Sequence, residues 1–250
     1  MTTSYGILSD DFYINMTLNT ELELPTNRDA ILHFFERIQR QYPTMSSFYQ
    51  RASGDFCLDE DRESGSYRWV SVENNRICAG YVNPDSLEMA DEMHKLILEV
   101  APFALGVNHL DVNSLDLLFG MDFDFDGNHD EVLADALFKD SAFASLLDIH
   151  GSTALGFDPA ILISLSEDCR LQARFSCESR TGAYQVRTGK YKENDQISLY
   201  LSVRQYPLPT EKFSCLTSYE MQRDICIELM DDKMIPNFVQ PVTGAIAQRQ

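Results

Sequence analysis

The stretch Ser114-Leu-Asp-Leu-Leu-Phe-Gly-Met-Asp-Phe-Asp-Phe-Asp126 decides the fold. Leu115, Leu117, Phe119, Met121, Phe123 and Phe125 fall on one flank. Ser114, Asp116, Gly120, Asp122, Asp124 and Asp126 fall on the other, with Leu118 the one apolar exception. A period of two specifies a β-strand with one oily and one watery face. At about 3.4 Å per residue such a strand approaches 40 Å, long by ordinary standards, so Gly120 is expected to mark a bulge or bend.

Outward toward the N-terminus, Asn83-Pro84-Asp85 opens a helix with the stripe Ala90, Met93, Ile97, Val100 and Ala104, ended by Gly106. Before it come extended stretches at about 47–58, 66–73 and 76–82, the last two joined by a tight turn at Asn74-Asn75, where Asn tolerates positive φ. An earlier helix starts at Thr26 to Asp29, carries Ile31, Phe34, Phe35, Ile38 and Tyr42, and stops at Pro43. The first strand alternates Ile14, Met16, Leu18, Leu22 and Leu24 with polar residues and ends at Pro25. This order resembles the split βαβ plan of the ferredoxin-like fold with one extra strand, in which both helices cover one sheet face. That fold hosts many unrelated functions, so the resemblance assigns no residue a role.

Toward the C-terminus, Asn128 to Glu131 caps a helix through Val132, Leu133, Ala136 and Leu137, with a second helical piece at about 141–149. Gly151 to Gly156 reads as a linker, which divides the chain into 1–150 and 151–250. Ile161–Leu165, Leu171–Cys177, about 183–191 and Ile197–Val203 read as an antiparallel meander. A final helix begins at Thr217, with Glu220 completing a capping box, and runs to about Lys233. Pro236 and Pro241 are expected to end ordered structure before a frayed tail. The fold class predicted is therefore α+β, with an antiparallel sheet in each half and a terminal helix.

Charge is lopsided. Residues 1–150 carry 9 Lys/Arg against 27 Asp/Glu, whereas 151–250 carry 11 against 12. The field of the first part repels phosphate backbones and anionic membranes, so nucleic acid is an unfavourable partner. A local excess of seven basic residues over three acidic ones lies between 170 and 204, with Arg174 and Arg204 on the wet faces of their strands. Tyr184, Tyr191 and Tyr200 would be needed for any single-strand reading there. The six cysteines form no C-x-x-C and no zinc spacing. No basic-then-apolar N-terminal stretch and no membrane-length apolar run occurs, so a cytoplasmic protein is expected.

The run Asp122-Phe-Asp-Phe-Asp-Gly-Asn-His-Asp-Glu131 opens like a calcium loop, but its twelfth position is Leu133 instead of the bidentate Glu. Asp122, Asp124, Asp126 and His129 remain the candidate ligands for a divalent cation, the only cofactor indicated. His150-Gly151-Ser152 sets a base beside a hydroxyl without a G-x-S-x-G elbow, and no phosphate-cradling glycine pattern is present. The leading expectation is a non-catalytic binding or assembly protein. It would act through an acidic sheet face of Asp116, Asp122 and Asp124, or through an edge strand, on a second copy or a basic protein partner, with Arg174 and Arg204 as complementary charges. The alternatives are a metal-binding module or metal-dependent hydrolase at the Asp122–Glu131 run, and a small-molecule binder using a groove.

Overall fold

The computed structural model of the chain describes residues 5–208 and 211–249. Among these residues nine strands are formed: β1 (Asp11–Thr20), β2 (Ser47–Gln50), β3 (Phe56–Asp59), β4 (Tyr67–Val72), β5 (Arg76–Val82), β6 (Val112–Asp124), β7 (Ala160–Ser164), β8 (Leu171–Glu178) and β9 (Gln196–Gln205). They make one antiparallel sheet in the order β2-β3-β4-β5-β1-β6-β9-β8-β7. The two strand groups expected as separate sheets are joined because β6 takes β1 on one flank and β9 on the other. The length of β6, 13 residues, is used to pair with both.

The helices are α1 (Arg28–Gln41), α2 (Leu87–Ala104), α3 (His129–Leu137), α4 (Ala144–Leu147), α5 (Ala183–Thr188), α6 (Cys215–Leu229) and α7 (Gln240–Ala247), with a π-helical segment at Met230–Val239. Alternation along β1 buries Phe12, Ile14, Met16 and Leu18 and leaves Asp11, Tyr13, Asn15, Thr17 and Asn19 half-buried on the opposite face. The same alternation in β6, β8 and β9 assembles a single core with the inward sides of α1, α2 and α6. Among the described residues no helix is long and apolar enough to cross a membrane.

Several expectations are corrected. β1 starts three residues earlier and ends at Thr20, where its register with β6 shifts, and Leu22 is exposed. Gly120 is no bulge: it pairs regularly with Tyr13 and Tyr200. Neither Asn74 nor Asn75 has positive φ, although the hairpin they close is present. The segment read as a strand at 183–191 contains α5, capped by Gly182 and Gly189. Pro236 and Pro241 do not end order. The i→i+5 turns around Pro236 continue the helical path, Pro241 sits in the first turn of α7, and Val242, Ala245 and Ile246 are buried. Phe238 anchors this C-terminal run on Phe175, with ring centroids 4.0 Å apart.

α2 and α6 share a buried polar relay. Tyr219 Oη donates to Asp91 Oδ1 at 2.7 Å and lies 3.0 Å from His94 Nδ1; the hydroxyl proton being spent on Asp91, the ring nitrogen is the second donor. Arg223 Nη1 closes the relay on Asp91 Oδ2 at 2.9 Å.

Candidate functional site

The face of the sheet opposite the helices is ordered in rows set by register. One row reads Leu162, Arg174, Ser202 and Leu118 across β7, β8, β9 and β6, then Asn15, Gly80 and Trp69 across β1, β5 and β4. The adjoining row places Gln172, Arg204, Asp116, Thr17 and Cys78 side by side. Nine strands spaced about 4.8 Å apart would hold the sheet edges roughly 38 Å from each other if flat. Yet Arg51, which follows edge strand β2, and Leu162, on the opposite edge strand β7, line one pocket of about 480 Å³. The sheet is therefore rolled, polar face inward, and these two rows form the pocket floor.

Two glycines make room for aromatic rings on this face, Gly80 in the pocket floor and Gly120 in the row Tyr13-Gly120-Tyr200 beyond it. A Cβ at Gly80 would lie 2.2 Å from Asn15 Oδ1 and 2.4 Å from Trp69 Nε1, so the indole rests across the bare backbone. A Cβ at Gly120 would lie 2.2 Å from Tyr13 Cε2, and the Tyr13 ring uses that space while its hydroxyl donates to Asp122 at 3.2 Å. Tyr200 packs on Tyr13 with centroids 6.5 Å apart.

Electrostatics separate the sheet-face charges. Arg204 grips Asp116 through Nε and Nη2 at 2.6 Å each, which holds the guanidinium firmly charged. Asn19 donates to the same carboxylate at 3.2 Å. Asp122 is 9% exposed, and its burial raises it above the ordinary carboxylate value. From Gly120 to Phe123 both flanks of β6 are closed off from solvent, so the wet acidic flank expected there is dry. Asp124 and Asp126 are exposed, and Asp124 accepts from Gln196 at 2.9 Å.

The acidic run is wired into the fold. His129 is buried; Nε2–H donates to the Phe125 carbonyl at 2.9 Å and Nδ1 accepts the Arg180 N–H at 3.2 Å, so neither nitrogen keeps a free lone pair. Burial holds its pKa below the ordinary histidine value. Asn128 caps α3 and donates to the Ala154 carbonyl, while Asp130 accepts from Phe157 N and Ser179 Oγ. The segment read as a linker is thereby stapled to α3. Among the described residues no three of Asp122, Asp124, Asp126, His129 and their acidic neighbours converge as a metal-ligating set.

Trp69, Asn15 and Leu118 are pocket residues that function-directed motif reading passes over. A signal for them exists. The Asn74-Asn75 turn sets Gly80 directly across from the only tryptophan, and Leu118 is the apolar exception on the wet flank. Compared with known proteins, the chain matches no family model and no curated protein.

Proposed function

We propose that this is a non-catalytic binding protein whose working surface is the concave sheet face and whose ligand is a small molecule held in its pocket. The carrying observation is that edge strand β7, Arg51 just beyond edge strand β2, and the strands β8, β9, β6, β1, β5 and β4 contribute to a single cavity of about 480 Å³. That volume lies in the range of about 300–1,000 Å³ common to small-ligand sites. An acidic face acting on a basic partner has less support, because Asp116 is already neutralised by Arg204 and Asp122 is buried. Ser202 sits between Leu118 and Arg174, so Ser202→Phe should fill the pocket from its floor without disturbing the helical face. Mass spectrometry of small molecules released by heating should find a species in wild-type protein that the variant lacks, both having the same circular dichroism and urea midpoint. Identical extracts would sink the proposal.

A second reading, assembly of two copies through β7, has its own support. All five residues of β7 are exposed, with Ile161 57%, Leu162 63% and Ile163 44% accessible. Its register with β8 turns the backbone groups of Ala160, Leu162 and Ser164 outward. A two-fold axis at Leu162 would set Ile161 against Ile163 of the other copy and pair every outward N–H and C=O of those three residues. Light scattering is expected to give twice the chain mass, and Ile161→Lys with Ile163→Lys to give a monomer. A monomeric wild type up to high concentration would end this reading.

The order β4-β5-β1-β6, with α1 and α2 as the crossovers, supports a split βαβ plan for the first half. The six free cysteines support a reducing, cytoplasmic setting.

A further inference from the structure

We infer that the pocket's ligand is an organic anion on an apolar ring system, its acidic group taken by Arg174; this rests on the pocket being the binding site. The argument begins with the cations of the concave face. Arg204 is occupied by Asp116 on both sides of its fork. Arg51 lies 4.0 Å from Glu73, which also holds Arg76 at 2.5 Å. Of the three arginines that line the pocket, Arg174 is the one without a hydrogen bond or ion pair among the described residues. Its cross-strand neighbours, Leu162 and Ser202, cannot neutralise it.

What sets Arg174 apart from other exposed arginines is its place on the pocket lining, beside Arg204 and Arg51, which are already engaged by carboxylates. A guanidinium fork left open at the rim of a cavity matches the geometry of a carboxylate, sulfonate or phosphate. The rest of the pocket describes the ligand's body. Leu118, Leu162 and the Trp69 indole offer apolar and aromatic surface. Apolar ring and acidic group are thus asked for together.

Two fluorescent probes isolate the charge: 1-anilinonaphthalene-8-sulfonate and N-phenyl-1-naphthylamine share rings and N–H and differ by the sulfonate. Energy transfer from Trp69, the only tryptophan, reads binding of both. The sulfonate is expected to bind wild-type protein at least about tenfold tighter than the neutral probe. Arg174→Gln should abolish that preference while leaving the neutral probe unchanged, and Arg174→Lys should keep part of it. Ser202→Phe should remove both. Equal affinities in wild type, with both lost in Ser202→Phe, would overturn the anion inference and leave the pocket standing. So would a sulfonate preference untouched by Arg174→Gln. Binding of both probes unaffected by Ser202→Phe would overturn the pocket reading as well.

Discussion

Tyr219→Phe is expected to lower the free energy of unfolding by about 3 kcal/mol, measured as a urea midpoint at neutral pH. The ring is fully buried and is retained in the variant, so no cavity opens. What is lost is the hydroxyl that donates to Asp91 and accepts from His94. Asp91 keeps only Arg223, and His94, whose Nε2 already lacks a partner, is left with neither nitrogen bonded. Each stranded buried polar group costs about 1–3 kcal/mol. In a His94→Leu background one of the two groups is gone, so the cost of Tyr219→Phe should fall by about 1 kcal/mol, a coupling that a double-mutant cycle reads. The relay also sets an acid limb. Burial pushes His94 down to about 3, against about 6.5 in an unfolded chain. The unfolded chain then binds a proton that the folded one refuses. Stability is full above about pH 6.5 and falls as pH drops from there toward about 3, at up to about 1.4 kcal/mol per pH unit. His129 acts with the same sign, and Asp122, raised by burial, with the opposite one. Comparing His94→Leu with wild type between pH 6.5 and 4 isolates the His94 share: the variant should show the flatter slope, and equal slopes would count against a buried neutral His94.

Gly120→Ala should cost about 2–3 kcal/mol although it adds a single methyl group. The added carbon would meet the Tyr13 ring at 2.2 Å, in the middle of the strand that joins the two parts of the sheet. Tyr13 cannot step aside freely, since its hydroxyl is held by Asp122 and its ring lies against Tyr200. Removing the obstacle should therefore relieve the strain. Tyr13→Ala combined with Gly120→Ala should be less damaging than the two single costs added together, as denaturation midpoints would record. Strict additivity would mean that the ring does not occupy the glycine's space.

Much of this architecture was legible because alternation and helical stripes are local. β1, α1, α2 and β6 are readable from the spacing of Ile, Leu, Met and Phe, and the cap at Asn128 from residue type, whereas α1 is capped by Asn27, one residue after the Thr26 expected. The placement of Arg174 and Arg204 on the wet face followed from the same parity. The union of two strand groups was not legible. Nothing in the period of β6 says that its second edge is taken by β9, about eighty residues later. The rolling of the sheet was equally hidden, because curvature is a property of the whole ladder. α5 was misread because Tyr184, Val186 and Tyr191 favour strands, while the two glycines that cap the helix act on the backbone alone. The Asp122–Glu131 run pointed to chemistry that the fold has largely spent on itself. Asn128, His129 and Asp130 tie α3 to the segments that follow, and only the structure shows where their donors and acceptors go.

The central position of β6 has a consequence for how the molecule is made. As the chain leaves the ribosome, β1 can close on β6 once residue 124 is available, but the other edge of β6 stays bare until β9 has been synthesised. For that interval a thirteen-residue strand rich in Leu and Phe presents unpaired backbone to the surrounding cell, the condition under which nascent chains stick to one another. Rapid delivery of β9, or a chaperone that shields β6 in the meantime, would decide the yield of native protein.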